Sequence, residues 1–275
     1  MRYQLILPAI VLTPILASAQ TTNPSTNTTK VWSSTAGIAT VAMPGYLGSN
    51  RYRVRTVPIL QLEFKERAYL GSSTSGIGGG LGVYMLRNSN LSWSAEISSA
   101  GKRRESYGDG LAGMGSRDGG TFVGTNASYR AGGTTFGAGV ATGTGKQEGT
   151  TASFSTDTKK TFGRRWIADV STGATFSDKE NMAFDFGVSR TQSIRRQALI
   201  AAGDSRLSVG EGGAYDPKGG LKQAQVSTSL GYLITKRTTA LAFATGTRLG
   251  SEPADSPLVR KRNGVMAGLG FAVGL

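Results

Sequence analysis

The 275-residue chain contains neither cysteine nor histidine. Without cysteine there can be no disulfides, thiolate nucleophiles, cysteine-linked lipids, or zinc and iron–sulfur sites built on sulfur. Without histidine the commonest general base and the commonest transition-metal ligand are gone, which excludes a serine triad or an Asp–His protease. Acids are scarce: 17 Asp and Glu stand against 31 Lys and Arg, a formal charge of +14. No spacing among those carboxylates singles out an acid–base pair. Charged residues make up 17 % of the chain, where soluble domains carry roughly 25 %. Long apolar runs are missing too. Beyond the N-terminus nothing reaches the ~18–20 residues that a membrane-spanning helix needs, and the best candidate, Val265 to Leu275, is broken by glycines. The sequence therefore predicts no enzyme, no catalytic residue, no metal or cofactor, and no helical membrane protein.

Glycine, in contrast, is abundant at 40 residues, about twice its usual ~7 %. The first residues read as an export signal. Met1-Arg2 gives a positive start, Leu5 to Leu16 an apolar core, and Ala17-Ser18-Ala19 a cleavage site before Gln20. A signal at 1–19 is expected, followed by a loose Thr/Asn-rich mature terminus at 20–30. Export also removes nucleic acid, the usual partner of so basic a chain, from consideration.

The remaining sequence alternates with period two. In Leu91 to Ser98, Leu91, Trp93, Ala95 and Ile97 share one face while Ser92, Ser94, Glu96 and Ser98 share the other. The same alternation recurs at 52–64, 166–176, 224–234 and 265–275, and it marks pleated strands. Strands are expected at about 31–42, 52–65, 74–86, 90–101, 119–130, 133–145, 149–160, 164–176, 221–233, 236–249 and 263–275. Most exceed the five or six residues typical of soluble strands and meet the ~9–11 needed to cross a bilayer. One face is apolar with isolated aromatics near strand ends, and the other is Ser, Gly, Gln, Arg and Asp, as for a wet lumen. In lipid the backbone must be satisfied internally, so the sheet must close. The predicted fold is an all-β, closed antiparallel transmembrane barrel over 31–275. Such barrels have even strand numbers, so a twelfth strand is expected within 182–200, in a range of 10–14. That count makes 43–50, 203–219 and 250–262 outer loops and puts 102–118 on the periplasmic side.

Two basic runs stand out. Arg51, Arg53 and Arg55 point one way, into the lumen. They form either an anion-attracting strip or, as the preferred reading, an ion-pair network with Glu63, Glu96 or Asp169. Arg260, Lys261 and Arg262 in the last outer loop either meet phosphates of the anionic lipopolysaccharide leaflet or form a solvated charge run. Gly76 to Gly82 lacks the helix and the Lys-Ser/Thr of a phosphate loop.

Four short motifs lie along this pattern. Pro44, Tyr46, Gly48 and Ser49 form a Pro-x-Tyr-x-Gly-Ser turn, and Asp255, Ser256, Pro257, Leu258 and Val259 an Asp-Ser-Pro-Leu-Val run. Arg103 or Arg104 is followed by Leu111 and Gly113, and Phe186 to Ser189 reads Phe-Gly-Val-Ser. Together they resemble the turn, the closing run, the Gly-Arg…Leu-x-Gly segment and the Phe-Gly-Val-Ser segment of the MltA-interacting protein (MipA/OmpV) family of outer-membrane barrels. After Ser189 the family's Gln-Ala is replaced by Arg190-Thr191-Gln192. The resemblance covers about 35–275. It implies an outer-membrane scaffold between a periplasmic lytic transglycosylase and a peptidoglycan synthase, with Arg103, Arg104, Leu111 and Gly113 of the long inner connection as the expected contact. The alternatives are a passive, anion-preferring channel for small solutes or a surface adhesin.

Overall fold

The computed structural model describes residues 31–72, 79–145 and 147–275. The expected signal and loose terminus, and part of the expected strand 74–86, lie outside them. Twelve antiparallel strands follow one another around a ring, each bonded to its sequence neighbours, and the last closes on the first. They are β1 Trp32–Pro44, β2 Tyr52–Phe64, β3 Ala68–Ser72, β4 Gly79–Arg87, β5 Leu91–Ser99, β6 Thr121–Ala131, β7 Thr134–Thr144, β8 Thr150–Phe162, β9 Trp166–Ser177, β10 Gly220–Leu233, β11 Thr238–Leu249 and β12 Asn263–Gly274. Closure runs from Thr35 opposite Gly274 to Ala42 opposite Ala267.

Every strand read from clear alternation is present. The twelfth is not where it was expected. Residues 182–200 are helical, as α1 Lys179–Phe186 and α2 Arg190–Ala201. Asp178 caps α1 by accepting from the Asn181 N–H, and Ser189 with Gln192 forms a capping box that starts α2. The missing strand is β3, five residues long, tucked against the end of β2.

This changes the polarity of everything between β2 and α1. Residues 45–51, 100–120, 178–219 and 250–262 all lie at one end of the barrel, the cap end. The short turns 65–67, 88–90, 132–133, 163–165 and 234–237, with the start of β1 and the end of β12, lie at the other end, the rim. Segment 102–118 therefore shares an end with the expected outer loops and is not opposite them.

The outer wall carries Ile38, Val54, Leu81, Trp93, Phe154 and Leu269, among other large apolar side chains, all exposed. In water this surface would far exceed the few hundred Å² a soluble monomer tolerates, and in a bilayer it is the lipid face. Aromatic pairs cluster toward the rim: Trp32 with Phe64 at 4.6 Å and Trp166 with Tyr232 at 4.8 Å. Such girdles sit at the headgroup level.

The interior is only partly the polar lumen predicted. Across β1, β2, β11 and β12 it is dry: Ala39, Val41, Val57, Ile59, Leu241, Phe243 and Ala272 pack together there. Phe243 fills the space left by Gly268, where a Cβ would stand 2.5 Å from the Phe243 ring. The opposite wall is polar, with Ser94, Glu96, Asn126, Asp169, Ser171 and Ser229 facing inward and buried.

Candidate functional site

The four long cap-end segments fold onto one another as a single lid, and the sequence motifs converge there. Leu111, Met114, Val188 and Leu258 form its buried centre, with Tyr46, Tyr107 and Tyr215 packed around them. Tyr46 donates its hydroxyl to the Leu258 carbonyl at 2.8 Å. Ser256 donates to the Phe186 carbonyl at 2.6 Å. Gly48, at φ +91°, accepts from the backbone N–H groups of Arg260 and Lys261 and lies flat under Val259. Ser49 donates to the Arg51 carbonyl and accepts from the Arg51 N–H. Pro44 ends β1 beside this turn, and Asp255 and Pro257 flank Ser256 in the last segment. Gly113, at φ +78°, leaves room for Arg196.

Arg196 is the tie that sequence reasoning missed. It has no solvent exposure and donates to the carbonyls of Gly110 at 2.8 Å, Ala112 at 2.9 Å and Glu211 at 2.7 Å, with a longer contact to Pro257 at 3.4 Å. One guanidinium thus joins α2 to segments 100–120 and 250–262. Burial pulls its pKa below the usual arginine value, with Glu211 and Tyr46 partly offsetting that. The signal for it was the Ser189-x-x-Gln192 box, which predicts a helix.

Both basic runs are rearranged relative to expectation. Arg51 leaves the strip and pairs with Asp109 at 2.7 Å on the cap. Arg53 and Arg55 face the lumen and lie over the Tyr107 ring, 4.1 and 4.9 Å from its centre. Two of the acids expected to pair with them are engaged elsewhere, Glu63 with Arg87 and Glu96 with Tyr69 at 3.0 Å, while the third, Asp169, lies opposite Lys159 in the β8–β9 register. Arg260 turns inward and binds Glu211 at 2.7 and 2.8 Å and the Arg206 carbonyl. Burial pushes the Glu211 carboxyl up, but Arg260 and the Ser208 N–H outweigh it and hold the pKa low. Lys261 and Arg262 line the lumen, and Arg262 also donates to the Leu249 carbonyl at 2.9 Å.

Segment 102–118 is likewise committed within the cap. Arg103 donates to the Asp185 carbonyl at 2.7 Å, and Arg117 to that of Phe184. Glu105 receives the N–H groups of Gly113 and Gly115, both at 2.9 Å. Arg104 is exposed, and Leu111 and Gly113 are buried in the lid. Burial, reinforced by the neighbouring Arg117, brings the Arg103 pKa down to about 10 although Asp185 opposes it.

Beneath the lid lies a cavity of about 1540 Å³ reaching toward the rim turns at Asn88, Gly132 and Arg164. Among the described residues no group of three or more acidic side chains could hold a metal ion.

Burial raises the Tyr46 phenol to about 12. Its neutral form therefore stabilises the folded cap up to pH ~10, and that contribution falls away as pH rises from ~10 to ~12. Replacing Tyr46 with Phe should cost about 0.5–1.5 kcal/mol at neutral pH through the lost hydrogen bond. The difference in thermal midpoint between wild type and Tyr46→Phe should be constant below pH 9 and shrink above pH 10. A difference that widens above pH 10 would contradict the assignment.

The family described as MltA-interacting protein MipA matches residues 36–273. No curated protein sequence matches the chain. Similar solved structures include an outer-membrane channel from Pseudomonas putida F1, at 8 % identity and TM-score 0.43 over 92 % of this chain and 99 % of that one. Another is the NanC porin, at 7 % identity and TM-score 0.44 over 86 % and 98 %. A third is the channel DcaP of Acinetobacter baumannii, at 9 % identity and TM-score 0.41 over 89 % and 96 %.

Proposed function

The chain belongs to the MipA family, and from that premise we propose that this outer-membrane barrel is a non-catalytic scaffold whose rim docks a periplasmic lytic transglycosylase, in turn linked to a peptidoglycan synthase. Bacterial barrels keep short turns in the periplasm and longer loops outside, which makes the lid external and the rim periplasmic. The observation carrying the proposal is the charge of that rim. Lys65, Arg67, Arg164, Arg165, Lys236 and Arg237 are all exposed on its turns, and Glu66 is the exposed carboxylate among them. Short turns on a closed barrel form a rigid, basic platform, suited to steering and orienting an acidic face. Segment 102–118 is not part of this dock, because it lies at the cap end of the barrel, away from the rim turns.

The test is binding of a purified lytic transglycosylase to the barrel in liposomes. Changing the six rim cations to Gln should weaken binding at least tenfold and flatten its salt dependence, while the folded barrel keeps its heat-modifiable gel mobility. Unchanged binding would remove the rim from the proposal.

A second reading, passage of small solutes, rests on the cavity that extends from the lid toward the rim. Absence of current steps from purified protein in planar bilayers would end it.

A further inference from the structure

We propose that the lumen directly beneath the lid is a binding site for a small oxyanionic solute, recognised by the guanidinium groups of Arg53, Arg55 and Arg103. This stands apart from the scaffold proposal and survives its failure.

All three side chains, with Tyr107, line the same cavity. Their surroundings have an excess of positive charge. Eleven Lys and Arg side chains, Lys261 and Arg262 included, line the cavity against five carboxylates, and Asp185, the one beside Arg103, is held by Lys222 at 2.6 Å. Arg103 is anchored by its Nη1, which donates to the Asp185 and Phe184 carbonyls. That leaves its Nε and Nη2, both buried and neither with a hydrogen-bond partner; Nη1 of Arg53 is also buried and unpartnered. Nε and Nη2 lie along one edge of the guanidinium plane, the edge that grips a carboxylate or phosphate through two parallel hydrogen bonds. Buried donors left unmade are costly, and here three of them belong to two of the cations that line the cavity. An oxyanion would satisfy these donors and offset the charge together.

Tyr107 fixes the other side. Arg53 and Arg55 lie over its ring, which holds both planes in place and lowers the entropy lost when an anion is gripped. Tyr107 belongs to the lid, whereas Arg53 and Arg55 belong to the wall, so the site exists only when the lid is closed.

The test uses the full barrel in detergent, titrated calorimetrically with citrate, inorganic phosphate and, at matched ionic strength, chloride. Saturable binding of citrate or phosphate without a chloride response is expected. Citrate alone would assign carboxylates, and phosphate alone phosphate esters. Arg103→Gln should weaken the bound anion at least tenfold, and Arg103→Lys should not rescue it, because lysine lacks the paired edge. Arg53→Gln, on the barrel wall and not in the lid, is the second variant should Arg103→Gln disturb the lid. Lys160→Gln, on β8 away from the lid, should bind as wild type. Binding of neither anion beyond the chloride response, or wild-type affinity in both Arg103→Gln and Arg53→Gln, would overturn the proposal.

Discussion

Arg196→Met should detach the lid while leaving the barrel closed. Methionine nearly fills the same volume, so the effect isolates hydrogen bonding from packing. Two terms oppose each other. Removing a buried charge relieves its desolvation, which by itself favours the variant. Against this, the carbonyls of Gly110, Ala112, Glu211 and Pro257 lose their donor, and bonds to a charged group are worth roughly 1.5–3 kcal/mol each. Several such losses at one buried point outweigh one desolvation gain, and a net cost of about 3–5 kcal/mol is expected. Because the barrel's ladder does not pass through Arg196, that cost falls on the lid. Limited proteolysis should cut the variant within 178–219 at least a hundredfold faster than wild type, with heat-modifiable mobility intact. Equal proteolysis rates would show that the apolar centre alone holds the lid.

Gly37→Val should prevent closure altogether. A Cβ at Gly37 would stand 2.2 Å from the Phe271 carbonyl oxygen and 2.8 Å from the Ala272 Cα, both backbone atoms of β12. Backbone in a closing pair cannot swing aside as a flexible side chain does, and relief requires breaking the β1–β12 register between Gly37 and Ala272. Open edges are not tolerated in lipid. The folded, heat-modifiable band should fall below a tenth of wild type. Gly246→Val is the control, because nothing lies within 4 Å of a Cβ there, and it should fold normally. Comparable yields from the two variants would refute the account of the seam.

Sequence reading reaches the wall of this protein more easily than its lid. Alternation reports which face of a strand meets a different solvent, and lipid on one side with polar groups on the other makes that contrast strong in β5, β9 and β12. It fails at β3, whose five residues from Ala68 to Ser72 are too few to establish a period and run into a glycine-rich stretch. It fails again at 182–200, because α2 buries Ser193 and Arg196. A helix that points polar residues inward has no apolar stripe, and only its capping box betrays it. Each omitted strand reverses the side assigned to every later loop, so the missed β3 and the false strand at 182–200 together placed 102–118 at the wrong end. The dry seam also escaped notice, because lumen-facing Val57, Ile59 and Phe243 resemble lipid-facing residues in everything except their phase. The candidate site was legible in its parts. Arg53 and Arg55 were marked by spacing, but the Tyr107 ring and the free edge of Arg103 arise from contacts between segments some fifty to eighty residues apart, which no local pattern encodes.

The hydrogen bond from Tyr46 to Leu258 spans 212 residues, and its neighbours join the first hairpin to the last. They bridge the two ends of the polypeptide at the cap, above the strands β1 and β12 that close the ring. The ladder of the cylinder is made by the strands and not by the lid. Tyr46 therefore adds a second clasp over the same seam: the first hairpin cannot part from the last until the ladder has unzipped and the lid has let go.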